Sequence, residues 1–198
     1  MELDINYEYE IQKRNKIMSR APKLTIEERT WLMTHRTYNH KFGFPFLSKD
    51  IIKLSSNKTY NISVTMLSKN YKSYIHPIFS VAAKPGYIIY GDREVEDRKG
   101  NMSIGKKIRS LCLEIRENLY NTDFIFNAEL GLLEVVYVVS YFDEKSRIYQ
   151  TTTSGILANL SMLREDVSDN EVIYKCKNPL SDDFDAMIFS VKWEVLDD

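Results

Sequence analysis

The chain has 198 residues, 43% of them hydrophobic and 28% charged, a balance that suits a folded domain with its own core and excludes a disordered chain. Lys and Arg number 27 against 28 Asp and Glu, so the net charge of −1 does not call for a polyanionic partner. The two cysteines, Cys112 and Cys176, lie outside any CxxC or His/Cys cluster. That excludes a disulfide framework and a zinc motif of recognised spacing, and it fits buried free thiols in a reducing compartment.

The N-terminal stretch MELDINYEYEIQKRNK carries acids from Glu2 onward and no apolar run of signal-peptide length. The longest apolar run, LGLLEVVYVVSYF from Leu130 to Phe142, is shorter than the roughly 18 residues of a membrane span and contains Glu134. A soluble, cytoplasmic protein without a membrane span is the expectation. The abundance of Asn, Lys, Ile and Tyr fits an AT-rich genome, such as that of a low-GC bacterium, a phage or a virus.

In chain order, residues 1–22 read as a mixed-charge N-terminal arm, partly helical, and residues 23–198 as a single globular β-rich domain. Thr25 and Glu28 form a T-x-x-E capping box that opens a helix over LTIEERTWLMTHR, with Leu24 as staple. Ile26, Trp31 and Leu32 are expected on one apolar face, and the helix should stop near Tyr38, before Gly43 and Pro45. Phe42, Phe44 and Phe46 then read as an aromatic anchor that tacks the helix onto a sheet.

KDIIKL, TYNISVTML, SYIHPIFSVAA and GYIIYG are short, β-branched and bounded by turn residues, which predicts strands. Ile62, Val64 and Met66 give one clean apolar face, and Pro77 belongs at an edge or a strand start. Residues 102–121 fit two patterns. Ile104, Ile108, Leu111, Ile115 and Leu119 form a helical stripe with Ser103 as cap, while Leu111, Leu113 and Ile115 alternate as in a strand. The helical reading is preferred. FIFNAEL, LLEVVYVVSYF, SRIYQTTT, ANLSMLRED, EVIYKCK and AMIFSVKWEV read as further strands, with a hairpin turn at Asp169-Asn170. The whole predicts a mainly β fold with some α: an antiparallel sandwich or barrel-like body preceded by a capped helix, with one internal helix at 102–121.

The chemistry-bearing motifs are sparse. His35 and His40 are five apart, about 140° around a helix, so they do not form the i, i+4 pair of a metal site. His35 is better placed to favour the helix C-terminus. Ser154-Gly155 lacks the G-x-S-x-G elbow, and no P-loop or dinucleotide fingerprint occurs. His76 reads as a strand residue. Asp182, Asp183 and Asp185 lack EF-hand spacing and read as a solvated acidic loop. No catalytic residue, metal or cofactor is predicted.

One pattern stands out. From Ile51 to Gly91 there are five lysines and no acid, interleaved with five tyrosines, whereas from Arg164 onward ten acids face four bases. Opposite charges of this kind pair across strands, meet between copies, or bind an anionic partner. Lys69, Tyr71, Lys72 and Tyr74 are the candidate binding residues, since Lys neutralises phosphate and Tyr stacks on unpaired bases. The leading expectation is a non-catalytic binding or structural protein acting on a protein partner or on itself. A single-stranded nucleic-acid binder and an enzyme with an unrecognised site are the alternatives.

Overall fold

A computed structural model describes residues 5–39, 43–70, 75–83, 86–96, 102–108, 110–114, 121–143, 148–152, 160–177 and 182–196. The chain divides into two compact units, residues 1–36 and 37–198.

The first unit is a pair of helices. α1 spans Ile5–Met18 and α2 spans Ile26–Thr34. The sequence between them closes a tight turn, in which Arg20 N–H donates to the Ile17 carbonyl at 3.0 Å and Ala21 N–H to that of Met18 at 3.1 Å. The expected capping box starts α2: Thr25 Oγ1 accepts from Glu28 N at 3.2 Å, and Glu28 Oε2 accepts from Thr25 N at 3.0 Å. The expected apolar face needs correction. Trp31 and Leu32 are half-buried, but Ile26 is 80% exposed. Ile26 and Trp31 stand five residues apart, about 140° around the helix, so one face cannot hold both. The helix also stops earlier than Tyr38. His35 is the extended C-cap, and its Nδ1 lies 2.8 Å from the Trp31 carbonyl, a partner for one of the orphan acceptors of the last turn.

The second unit is all β. Thirteen strands are described: β1 (Thr37–Asn39), β2 (Gly43–Lys53), β3 (Thr59–Lys69), β4 (Ile75–Ala83), β5 (Gly86–Glu96), β6 (Met102–Ile108), β7 (Ser110–Glu114), β8 (Asn121–Ala128), β9 (Leu132–Asp143), β10 (Ile148–Thr152), β11 (Met162–Ser168), β12 (Glu171–Cys176) and β13 (Met187–Val195). The order is β6-β5-β8-β3-β13-β12-β11-β2-β9-β4-β7, with β1 on β2 and β10 on β9, and all the pairings are antiparallel. The path does not close into a barrel and gives the sandwich-like body that the turn-rich β pattern predicts.

β2 joins the two sheets. Leu47 pairs with Met162 of β11 in one, and Asp50 to Lys53 pair with Val135 to Leu132 of β9 in the other. Phe44 and Phe46 of the expected aromatic anchor lie in the first part of this strand; Phe42 and the side chain of Phe44 lie outside the described residues. Phe46 stacks on Phe184 with centroids 5.3 Å apart. The inward residues form one core: Ile62 and Val64 of β3, Phe124 and Phe126 of β8, Phe189 of β13, and Leu133 and Val135 of β9 are all buried. Each such side chain contributes about 1.5–3 kcal/mol on leaving water. The Ile62, Val64, Met66 alternation holds in β3, with Ser63 and Thr65 turned outward.

The internal helix predicted at 102–121 is a correction. Residues 102–108 are strand β6 and 110–114 are strand β7; residues 115–120 lie outside the described residues. β6 pairs with β5, and β7 with β4. These non-local ladders override a stripe that a helix satisfies equally well, because sheet context outweighs intrinsic preference. Among the described residues no helix is long and apolar enough to cross a membrane.

Candidate functional site

Within the helical unit, α1 and α2 flank a groove of roughly 600 Å³. Lys13 and Lys16 stand three apart on α1, so they project along one side of that helix, and Arg20 joins them from the turn that follows it. Tyr9 lies on the same stripe, and Trp31 and Glu28 contribute from α2. Lys13 Nζ donates to the Tyr9 hydroxyl at 3.3 Å and lies 5.4 Å from the Tyr9 ring centroid and 5.0 Å from that of Trp31. A cation at these distances is attracted by the negative face of an aromatic ring, by about 0.5–1 kcal/mol at an exposed site. The His35 ring stacks on Trp31 with centroids 4.2 Å apart. Arg20 forms an ion pair with Glu28, the carboxylate that also closes the capping box, so one acid both starts α2 and ties it to the turn that follows α1. The result is a groove lined by Lys13, Lys16, Arg20, Glu27 and Glu28, with Tyr9 and Trp31 as its aromatic wall.

The lysine–tyrosine stretch is only partly described. Lys69 ends β3 half-buried, in register with Met187; Tyr71, Lys72 and Tyr74 lie outside the described residues. The sheet seats this end of β3 against the acidic loop. Asn70 N–H donates to the Ala186 carbonyl at 3.0 Å, and Asn70 Nδ2 to Asp185 Oδ2 at 2.5 Å. The basic segment and the acidic segment are therefore neighbours through β3 and β13. His40 and Ser154-Gly155 lie outside the described residues, as does the side chain of His76. Among the described residues no group of three His, Cys, Asp or Glu is placed to hold a metal ion.

Two further polar clusters are internal to the sandwich. Asp50 is fully buried where β2 passes from one sheet to the other. Its Oδ1 accepts from Ile51 N at 2.8 Å, and its Oδ2 accepts from Arg164 Nη1 at 2.8 Å and from the Tyr174 hydroxyl at 2.7 Å. Arg164 also donates to Asp166 through Nε at 2.8 Å and Nη2 at 2.6 Å. Burial alone would ease proton loss from this guanidinium, but Asp50 and its neighbours prevail and push its pKa further up. These hydrogen bonds offset part of the cost of burying the carboxylate and tie β2 to β11 and β12 at the sheet junction.

In the second cluster, burial pushes the Cys176 thiol well above its ordinary pKa, and burial beside Cys176 does the same to the Tyr137 phenol. Tyr137 donates to the Lys177 carbonyl at 3.2 Å, and Lys177 reaches out to Asp182 at 3.0 Å. A thiol held protonated is a poor nucleophile. The Ser161 hydroxyl is buried beside this cluster without a hydrogen-bond partner among the described residues.

The groove was not anticipated from the sequence. A signal existed: between Lys13 and Arg36 there are seven bases (Lys13, Arg14, Lys16, Arg20, Lys23, Arg29 and Arg36) against two acids, Glu27 and Glu28. Comparison with family models, with curated proteins and with solved structures finds no match to this chain.

Proposed function

We propose that this chain is a non-catalytic binding protein, acting by surface recognition or self-assembly, in which the helical unit supplies the recognition surface. The observation that carries the reading is the groove itself: Lys13 and Lys16 beside Tyr9 and Trp31, with the Arg20–Glu28 ion pair in its lining. A cavity with convergent charge and aromatic walls is the usual form of a recognition site. The described groups with the greatest chemical potential support the same reading, because they serve the fold. The Asp50 carboxylate is saturated by hydrogen bonds, and the Cys176 thiol is buried and protonated.

Polynucleotide binding through Lys69 to Tyr74 has less support, because the acidic loop lies against the Lys69 end of that stretch and would repel phosphate. Fluorescence of Trp31 tests the proposal, in a Trp193→Phe background that leaves one indole. Titration with an aspartate-rich peptide or a single-stranded oligonucleotide should give a saturable change that Lys13→Glu abolishes. A flat response to both ligands would refute the groove as a recognition surface.

A further inference from the structure

Resting on that reading, we infer that the groove takes the acidic loop of a second copy of this chain, so that copies join head to tail. The loop is Asp182 to Asp185. Its first carboxylate is fully exposed while bonded to the buried Lys177, which anchors the loop from below; Asp183 is exposed as well. Phe184 stacks on Phe46 of β2, so the loop is fixed against the sandwich and presents its carboxylates at little cost in ordering.

The groove is its complement. Arg20 is committed to Glu28, so Lys13 and Lys16 carry the charge available to a ligand. The pattern extends beyond these contacts: residues 13–36 hold seven bases and two acids, residues 164–198 hold ten acids and four bases, and the whole chain is close to neutral. The oppositely charged segments of two copies then attract without net repulsion between the copies. A polynucleotide is the poorer occupant. The Trp31 ring already carries the His35 imidazole and the Lys13 ammonium, so it is not a vacant platform for a base. Because groove and loop are different surfaces, the contact is heterologous and propagates into a ring or a filament.

The test is sedimentation of the full chain over a range of concentrations, at low and physiological salt. Two single charge reversals, Lys16→Glu and Asp183→Lys, alter exposed side chains and leave the fold intact. The expected result is concentration-dependent association that weakens with salt, falls by about fivefold or more in each variant, and recovers when the two variants are mixed. Association untouched by either reversal, or reduced but not recovered in the mixture, would overturn the head-to-tail contact. A monomer under all conditions would also overturn it. Trp31 titration of that monomer with the aspartate-rich peptide and the oligonucleotide then separates the two claims: a response to either leaves the groove as a recognition site for an outside partner, and no response removes both.

Discussion

The hydroxyl of Tyr174 donates at 2.7 Å to a carboxylate, Asp50, that has no exposed surface. Tyr174→Phe deletes that one oxygen and keeps the ring, its burial and its 5.2 Å stack on Phe189. The cost is thus close to that of a single hydrogen bond to a charged acceptor, about 1.5–3 kcal/mol. Asp50→Asn should cost more, because it breaks a buried ion pair and leaves the Arg164 guanidinium, 19% exposed, with Asp166 alone. Breaking such pairs costs about 3–5 kcal/mol, and the surviving Asp166 partner places this one at the lower end. Replacing both charges with apolar residues, Asp50→Leu with Arg164→Met, should cost less than Asp50→Asn alone, since no charge is then left buried without its partner. Urea unfolding of the three variants at neutral pH reads all of these differences. A Tyr174→Phe variant within about 0.5 kcal/mol of the parent would refute the reasoning, because it would mean that the carboxylate does not depend on this donor.

Three other outcomes follow from the same structure. Gly131 sits at φ +60° in the turn between β8 and β9, and a Cβ there would lie 2.3 Å from the Leu54 carbonyl oxygen; Gly131→Ala should therefore destabilise the sandwich by more than about 1 kcal/mol in urea. Thr25→Ala removes the acceptor for Glu28 N–H and should cost about 1 kcal/mol, seen as faster hydrogen exchange confined to the first turn of α2. With Cys176 and Tyr137 held protonated by burial, the native state keeps protons that the unfolded chain releases above the ordinary thiol and phenol values. Stability should then fall as pH rises beyond about 9, by up to tenfold in the folding equilibrium per pH unit for each group; a flat profile to pH 10.5 would contradict their burial.

What the sequence disclosed was local. The capping box is a four-residue pattern whose partners are its own neighbours, and the Ile62, Val64, Met66 face needs only the period of a strand. The hairpin turn at Asp169-Asn170 is equally self-contained. Where the outcome depended on distant pairing, the sequence was ambiguous. Ile104, Ile108 and Leu111 fit a helix as well as a strand, and only the ladders of β6 on β5 and β7 on β4 decide between them. Nothing in KDIIKL marks Asp50 as a buried acid, because its partners Arg164 and Tyr174 are more than a hundred positions away. The groove is not legible for a related reason: Lys13 and Lys16 lie on one helix and Trp31 on another, and only the turn between them brings the two together. The interleaved Lys and Tyr around Lys69 made a more visible pattern, yet its near end lies beside Asp185.

The most direct measurement is amide-resolved NMR of the full chain, compared between dilute and concentrated samples and again with the aspartate-rich peptide added. Recognition by the helical unit should give shifts at Tyr9 to Arg20 and at Glu27 to Trp31, joined on concentration by Asp182 to Asp185. Shifts confined to the sandwich outside that loop, or spectra unchanged in every sample, would contradict the claim that the helical unit is the recognition surface.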